Sequence, residues 1–383
     1  MKSKKRRILH VIASLEGGGA ERQLQIMANN TDPNRYHVSI IFLHKGTGQY
    51  VFNEGIDLLQ IPRGRKWNIL SLWFRIYKAV KTCQPDILQL WMPEIITIPA
   101  AFAGKFSGTY IISAARRSMR SVNSIKLRLR DRTNYIQHIM ADRIVANFNP
   151  DREPYFFRRL FSQKKGLVIP NAITVCQDKK PSKADLPVKT SNSFLIWFTG
   201  RIVPQKRLDI LLDSFIAIRR DGLDVSLAIC GEGNPDLTNH LKQKVQQAGM
   251  QEHVSFLGYR KDWHGLVKHA DLFVLPSTAE GMPNVLFEAM LLGLACIATD
   301  IPAIHNIVKH KENVWMVQAG SRTNLTAGIR KMYESTPLRM QLAQAGQLYA
   351  KSFSVEKMMR AYNTLYNNCN KTTTTQSQPR TVY

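Results

Sequence analysis

An α/β fold made of two doubly wound parallel-sheet domains facing each other across a cleft is predicted by three features of the sequence. Short apolar, β-rich runs alternate with helical patterns from end to end, the signature of strand–helix–strand units. The runs are apolar enough to read as strands covered on both faces, as parallel sheets require. A polar stretch with two prolines, "TVCQDKKPSKADLPVKTSNS" at 174–193, separates one such series from a second.

In the first series "ILHVIAS", "HVSIIFL", "DILQLW" and "TYIISAA" read as strands, and "AERQLQIMANN" as a helix opening at about Ala20. In the second, "SFLIWFTG", "VSLAICG", "HVSFLGY", "LFVLPS" and "ACIATD" are the strands. There "RLDILLDSFIAIRRDG" and "DLTNHLKQKVQQAG" are helical. The expected organisation is a first α/β domain over 1–173, a linker over 174–193 and a second α/β domain over 194–352. A helix over 353–369 is a candidate to pack back on the first domain, and the tail at 370–383, "NKTTTTQSQPRTVY" from Asn370 onward, is expected to be disordered. Sheets of this kind bind ligands at the carboxyl ends of their strands. No internal repeat of solenoid period is present.

With 383 residues the chain is long enough for two well-buried domains, and 44% hydrophobic and 21% charged residues are ordinary for a globular protein. A net charge of +25 and a pI near 10.0 are not ordinary. They call for an anionic partner: nucleic acid, an acidic membrane surface or a phosphorylated substrate. Five scattered cysteines without a C-x-x-C pair suit a reducing compartment. The start "MKSKKRRILHVIASLEGGG" imitates a signal peptide, but its apolar run is short, contains His10 and breaks at Glu16, so a first strand is the expectation. No apolar run reaches the ~18 residues of a membrane span, "IITIPAAFAG" and "AMLLGLACIAT" included, and the protein is expected in the cytosol.

The chemistry concentrates in "STAEGMPNVLFEAM", Ser277 to Met290. Pro283 suits the first position of a helix, because its missing N–H would have no partner there and its φ is preset. The amides of Asn284, Val285 and Leu286 would then point out of a helix end that favours an anion or an oxygen-rich ligand. Glu280 lies before this turn and Glu288 lies about 7.5 Å along the helix. Acids near a helix start are stabilising in any protein, so each alone is ambiguous. "FTGRIVPQKRLDILLDSF" ends a strand at Thr199, turns at Gly200 and places Arg201 and Lys206 beside a helix start, a fork of donors and a mobile charge that suit a diphosphate. "GEG" at Gly231 to Gly233 is another strand-end turn, of a kind that is mostly structural. "SLEGGGAERQL" lets backbone approach a ligand, but it has neither P-loop nor dinucleotide spacing.

Together these pieces resemble the retaining nucleotide-sugar glycosyltransferases of family 4, which have the GT-B fold of two Rossmann-like domains. The matching segments are "GGGAE" at Gly17 to Glu21, "VIPNAI" at Val168 to Ile173, "GRIVPQKRLD" at Gly200 to Asp209, "GEG", "VSFLGY" at Val254 to Tyr259 and "EGMPNVLFEAM". They occur in the family's order and span most of the chain. The resemblance implies transfer of a sugar from a nucleotide-sugar donor to a lipid-linked or glycan acceptor in surface polysaccharide or glycolipid synthesis. It implies that Glu280 meets sugar hydroxyls, Arg201 and Lys206 hold the phosphates, and Glu288 accepts from the ribose. The wider donor-contact set is Gly18, Gly19, Gly200, Glu232, Gly281, Met282, Pro283, Asn284, Val285 and Leu286. No D-x-D metal motif stands near a strand end, so no cofactor or metal is expected.

The first domain departs from the family pattern. Met92, Pro93 and Glu94 follow "DILQLW" where a histidine is common; in the second domain "DIPAIHNIV" likewise departs from the acidic residue commonly found near Asn306. His10, His138 and His305 read as core or surface residues, with no partner at a recognisable spacing. Arg116 and Arg117, after the "TYIISAA" strand, are expected to face the cleft within reach of the diphosphate or acceptor. Basic residues crowd Arg116 to Arg132 and recur with aromatics over Arg152 to Lys165, where Tyr155, Phe156, Phe157 and Phe161 suggest shallow insertion into an anionic membrane. The expected setting is therefore peripheral, on the inner face of the cell membrane. The rival readings are a basic nucleic-acid- or membrane-binding protein without transferase activity, and an epimerase or phosphorylase on the same fold. No nucleic-acid-binding module is recognisable, so nucleic acid is not the expected partner.

Overall fold

The computed structural model describes residues 5–46, 50–62, 69–92, 94, 96–116, 135–153, 155–175 and 193–369. The chain divides into two compact units, Met1–Ala172 with Val355–Tyr383, and Ile173–Ser354. Most of the 174–193 stretch, and the tail from Asn370, lie outside the described residues.

The first unit begins β1 (Arg6–Val11), α1 (Gly19–Asn29), β2 (Tyr36–Phe42), β3 (Asp57–Gln60), α2 (Ile69–Cys83), β4 (Ile87–Trp91), α3 (Thr97–Phe106) and β5 (Tyr110–Ala115). It continues with a helix α4 at 135–140, β6 (Arg143–Ala146), α5 (Tyr155–Gln163) and β7 (Leu167–Val168). The second unit runs β8 (Phe194–Thr199), α6 (Leu208–Arg220), β9 (Val225–Cys230), α7 (Pro235–Gln247), β10 (Val254–Gly258), α8 (Trp263–Leu266) and β11 (Leu272–Leu275). It ends with α9 (Asn284–Leu291), β12 (Cys296–Asp300), α10 (Pro302–His305), β13 (Trp315–Gln318), α11 (Arg322–Glu334) and α12 (Thr336–Ala350). The chain then returns to the first unit as α13 (Val355–Asn367).

The first sheet has the order β3-β2-β1-β4-β5-β6-β7 and the second β10-β9-β8-β11-β12-β13, with every described pairing parallel. Both are doubly wound, as the alternation of runs predicts. Successive residues of a strand point to opposite faces, and each face needs its own cover. In β2, Val38, Ile40 and Phe42 pack with α1 and α13, whereas Ile41 packs with the layer of α2 and α3. In the same way β4 sends Ile87 and Trp91 to one side and Leu88 and Leu90 to the other. The strands absent from the sequence reading are β3, β6, β7 and β13, each of four residues or fewer. β3, "DLLQ", is exposed throughout at the sheet edge and carries no apolar run to detect.

Two arginine clusters, a half-buried one at Arg6 and a buried one at Arg116, fasten α13. Arg6 donates to the carbonyls of Tyr366 and Cys369, each at 2.6 Å. Arg116 donates to Asn171 Oδ1 and to the Tyr362 hydroxyl, both at 2.7 Å, and its guanidinium stacks 4.5 Å from the Trp91 ring centroid. The Tyr366 hydroxyl donates to Gln89 Oε1 at 2.7 Å. Arg116 is only 6% exposed, so the expectation that it meets a ligand is corrected: its donors serve the core. Arg117 lies outside the described residues, as does the rest of the basic stretch to Arg132.

α5 keeps at its surface only part of the aromatic set expected to insert into a membrane. Phe157 is fully buried and Phe161 is partly buried against the same small cluster, so of the four aromatics Tyr155 and Phe156 are the exposed ones. An amphipathic helix must spend one stripe on its own core, and Phe157 and Leu160 are that stripe.

His10 and His138 are fully buried. Trp91 Nε1 donates to His10 Nδ1 at 3.2 Å, and His138 Nδ1 lies 2.8 Å from Ser113 Oγ. Burial away from water lowers the His10 pKa to about 3 and that of His138 to about 4. His305 lies at the surface beside Asp300, at 2.7 Å. An unfolded chain protonates its histidines near pH 6.5, roughly, whereas these two stay neutral in the fold. Stability that is full above that pH is therefore lost as pH falls toward 4, at about 1.4 kcal/mol per pH unit for each histidine. Urea unfolding of the protein between pH 7 and 4.5 is expected to show this loss, and His138→Gln to remove about half of the slope. A pH-independent unfolding midpoint contradicts the assignment.

Candidate active site

The order of the second sheet makes β8 and β11 neighbours, although the chain leaves β8 toward β9 and leaves β11 toward β12. Their carboxyl-end loops therefore start side by side and diverge, which opens a crevice at the switch point. The β8 loop carries Gly200, Arg201 and a single 3₁₀ turn, Pro204–Lys206. Arg207 then adopts a left-handed conformation at φ 49° and α6 begins. Its guanidinium clamps the Asp209 carboxylate at 2.8–3.2 Å, which offsets the strain of that cap. The β11 loop runs through Ser277, Thr278, Ala279 and Glu280 to the start of α9.

A set of hydrogen bonds stitches the two loops together. The Thr278 N–H and hydroxyl both donate to the Gln205 carbonyl, at 2.9 and 3.2 Å. The Gln205 side-chain amide donates to the Ala279 carbonyl. Next to them Lys206 Nζ meets Glu280 Oε1 at 2.5 Å, with side chains 13% and 11% exposed. Behind the β11 loop the Thr299 hydroxyl donates to the Ser277 carbonyl. Two of the predicted site residues are thus in direct contact. Arg201 stands on the same loop with its side chain in solvent.

Glu288 lies deeper, on α9, 2% exposed, with Oε2 3.0 Å from His264 Nε2. His264 is 3% exposed, and its ring lies 4.3 Å from that of Trp263. Sequence reading missed His264, since nothing in the spacing of "KDWHGL" ties it to an acid twenty-four positions on. The expected geometry of the α9 start also needs correction. Pro283 is the N-cap at φ −80° and ψ 87°, one residue before the helix, and the Leu286 N–H donates to its carbonyl at 3.0 Å. Of the three amides expected to face a ligand, that of Leu286 is thus spent within the turn. Leu286 and Met282 sit in the core of this unit, and Gly281 forms the bend between Glu280 and the cap.

The "GEG" turn after β9 supports the β8 loop from below. A side chain on Gly231, at φ 144°, would stand 1.9 Å from the Gly200 carbonyl oxygen, and one on Gly233 would stand 2.0 Å from that of Ile202. Only glycine permits this approach. Glu232 accepts from the Tyr259 N–H at 3.2 Å, a structural task for a side chain read as a ligand contact. Gly18 and Gly19 belong to the first unit, where Gly18 is the N-cap of α1 and its carbonyl accepts from the Tyr50 hydroxyl at 3.0 Å. Among the described residues no group of three His, Cys, Asp or Glu side chains is placed to hold a metal ion.

Residues 193–335 match the family described as "Glycosyl transferases group 1". Over 349 residues, 90% of this chain and 95% of the relative, the sequence is 24% identical to an uncharacterized glycosyltransferase of Haemophilus influenzae. Over 233 residues it is 27% identical to the UDP-Gal:alpha-D-GlcNAc-diphosphoundecaprenol alpha-1,3-galactosyltransferase of Escherichia coli, covering 58% of this chain and 59% of that enzyme. The crystal structure of Anabaena Alr3699/HepE in complex with UDP and glucose has the same fold, with a TM-score of 0.78 and 21% identity over 94% of this chain and 99% of that one. These matches together define an enzyme of the glycosyltransferase class. More narrowly, the chain is a GT-B-fold glycosyltransferase related to the group 1 glycosyl transferases.

Gln205 ties the loop of Lys206 to the loop of Glu280. Gln205→Ala is expected to lower the transfer rate about tenfold or more through misplacement of the pair, while the melting temperature moves by only a few degrees. Steady-state kinetics beside a thermal melt check this, and an unchanged rate would separate the stitch from function.

Proposed function

We propose that the protein is a retaining glycosyltransferase that takes a sugar from a nucleotide-sugar donor and passes it to a lipid-linked or glycan acceptor in surface polysaccharide or glycolipid synthesis. The observation that carries this reading is the Lys206–Glu280 pair, held at the crevice between β8 and β11 with the start of α9 beside it. The Escherichia coli relative is named for UDP-galactose and a diphosphoundecaprenol-linked acceptor, and the Anabaena structure holds UDP and glucose. Both support a nucleotide sugar as donor here.

The roles follow from charge. Breaking the bond between the anomeric carbon and the phosphate oxygen sends the electron pair to the diphosphate and leaves positive character on the sugar. Lys206 supplies a fixed cation for the departing diphosphate and Arg201 a second from the solvent side, and the N-terminal end of α9 adds its helix dipole. Glu280 accepts from sugar hydroxyls and keeps Lys206 in place. Glu288, held by His264, accepts from the ribose. Each donor lost from such a set costs about 2.7 to 4 kcal/mol of transition-state stabilisation.

The setting we propose is the anionic inner face of the cell membrane, where a lipid-linked acceptor resides and a net charge of +25 is attractive. No described helix is long and apolar enough to cross a membrane. Association of this kind is therefore proposed as peripheral.

Glu280→Ala is expected to abolish transfer with the fold intact, and Lys206→Ala to lower kcat by about 10²- to 10³-fold. The donor is identified by thermal unfolding in the presence of a panel of nucleotide sugars, since only a ligand bound to the folded state raises the midpoint. Transfer is expected to continue undiminished in chelator. Loss of activity there, restored only by Mg²⁺ or Mn²⁺, would overturn the metal-independent mechanism, and wild-type turnover by Glu280→Ala would overturn the site.

A further inference from the structure

The outer faces of α2 and α3 carry a combination that the fold itself does not need. On α2, Leu70 is 76% exposed, Phe74 67% and Ile69 45%; on α3, Phe106 is 74% exposed and Phe102 41%. The two helices pack side by side on the same face of the first sheet. The inner stripe of α2 is Ile76 and Val80, so Leu70, Phe74, Lys78 and Lys81 follow one another along its outer side at helical spacing.

In α3 the usual amphipathic order is reversed. Ala100, Ala101, Ala103 and Gly104 face inward, and a side chain on Gly104 would stand 2.7 Å from Leu88 Cδ2. The helix lies close on the sheet with small residues and shows its phenylalanines to solvent. Packing alone would place them the other way round.

The charge on these helices has one sign. Neither "ILSLWFRIYKAVKTC" nor "TIPAAFAGKF" contains an acid, whereas Arg75, Lys78, Lys81 and Lys105 accompany the apolar residues. Lys78, Lys81 and Lys105 are exposed, and Lys105 has a loose partner in Asp142 at 3.7 Å. Aromatic and aliphatic side chains beside lysines, on helices that carry no carboxylate of their own, match an acyl boundary under negatively charged headgroups.

We propose that the α2–α3 face is the surface by which the protein docks on an anionic phospholipid bilayer, with Leu70, Phe74, Phe102 and Phe106 entering the interface and Lys78 and Lys81 meeting the headgroups. The proposal rests on the membrane setting given above and moves the contact away from α5. There Phe157 is buried and Phe156 stacks edge-on against Tyr135, with ring centroids 4.8 Å apart.

The test is flotation with phosphatidylglycerol-containing vesicles and with phosphatidylcholine vesicles, at low salt. The wild type is expected to float with the first and not the second. A Leu70→Ser, Phe74→Ser, Phe106→Ser variant is expected to stay unbound with an unchanged thermal melt. Lys78→Glu with Lys81→Glu, which leaves the apolar residues in place, should lower the partition coefficient by roughly thirtyfold or more. Tyr155→Ser with Phe156→Ser should float like the wild type. If the wild type binds neither vesicle, the membrane setting itself fails and this surface with it. If the wild type floats and the α2–α3 variants float equally, the setting stands and this surface is overturned. Sedimentation showing a dimer that the serine variant dissolves would assign the face to a second copy and overturn the proposal as well.

Discussion

The contact between Lys206 and Glu280 is the interaction on which the chemistry proposed for the second unit depends. Two side chains so far from bulk water repay their desolvation only if their geometry is held. That hold comes from Thr278 and Gln205, whose hydrogen bonds tie one loop to the other within a few atoms of the pair. The adjacency of β8 and β11 makes the contact available at all. In a sheet wound in one direction only, these loops would not begin side by side.

Beneath this pair the structure is tight rather than adaptable. Gly231 and Gly233 let the β9 loop lie against the β8 backbone, and the Ile202 N–H donates to the Glu232 carbonyl at 2.9 Å, so strand-like pairing continues past the end of the sheet. Arg207 accepts an uncommon backbone conformation and is held there by Asp209. On the other side His264 fixes a Glu288 oxygen in a site almost closed to solvent. A site that must stabilise charge as it develops gains from groups that need not reorganise.

The first unit shows how little a net charge says about a surface. Arg6 and Arg116 are spent on the carbonyls and hydroxyls that fasten α13, and Arg116 further on the Trp91 ring. The positive charge that remains outside includes the face of α2 and α3, two helices that carry no carboxylate of their own. The segment richest in aromatic and basic residues, α5, turns Phe157 to its own core because a short helix has no other way to bury a stripe.

The amino-acid sequence by itself determined the class of fold and placed along the chain the turns to which the chemistry is assigned. Continuous apolar runs such as "FLIWFT" and "VSLAIC" are strands buried on both faces, and the polar turns that follow them must lie at strand ends. Glu280, Lys206 and Arg201 were legible for that reason: each stands in a turn after such a run. The short strands β3, β6, β7 and β13 were not, because four residues or fewer carry too little periodicity. Tertiary structure alone decided who meets whom. Lys206 and Glu280 are 74 residues apart, Arg116 and Tyr362 are 246 apart, and His264 finds Glu288 across two crossovers. Strand order sets those meetings, and it follows from the packing of the whole sheet rather than from any window of sequence.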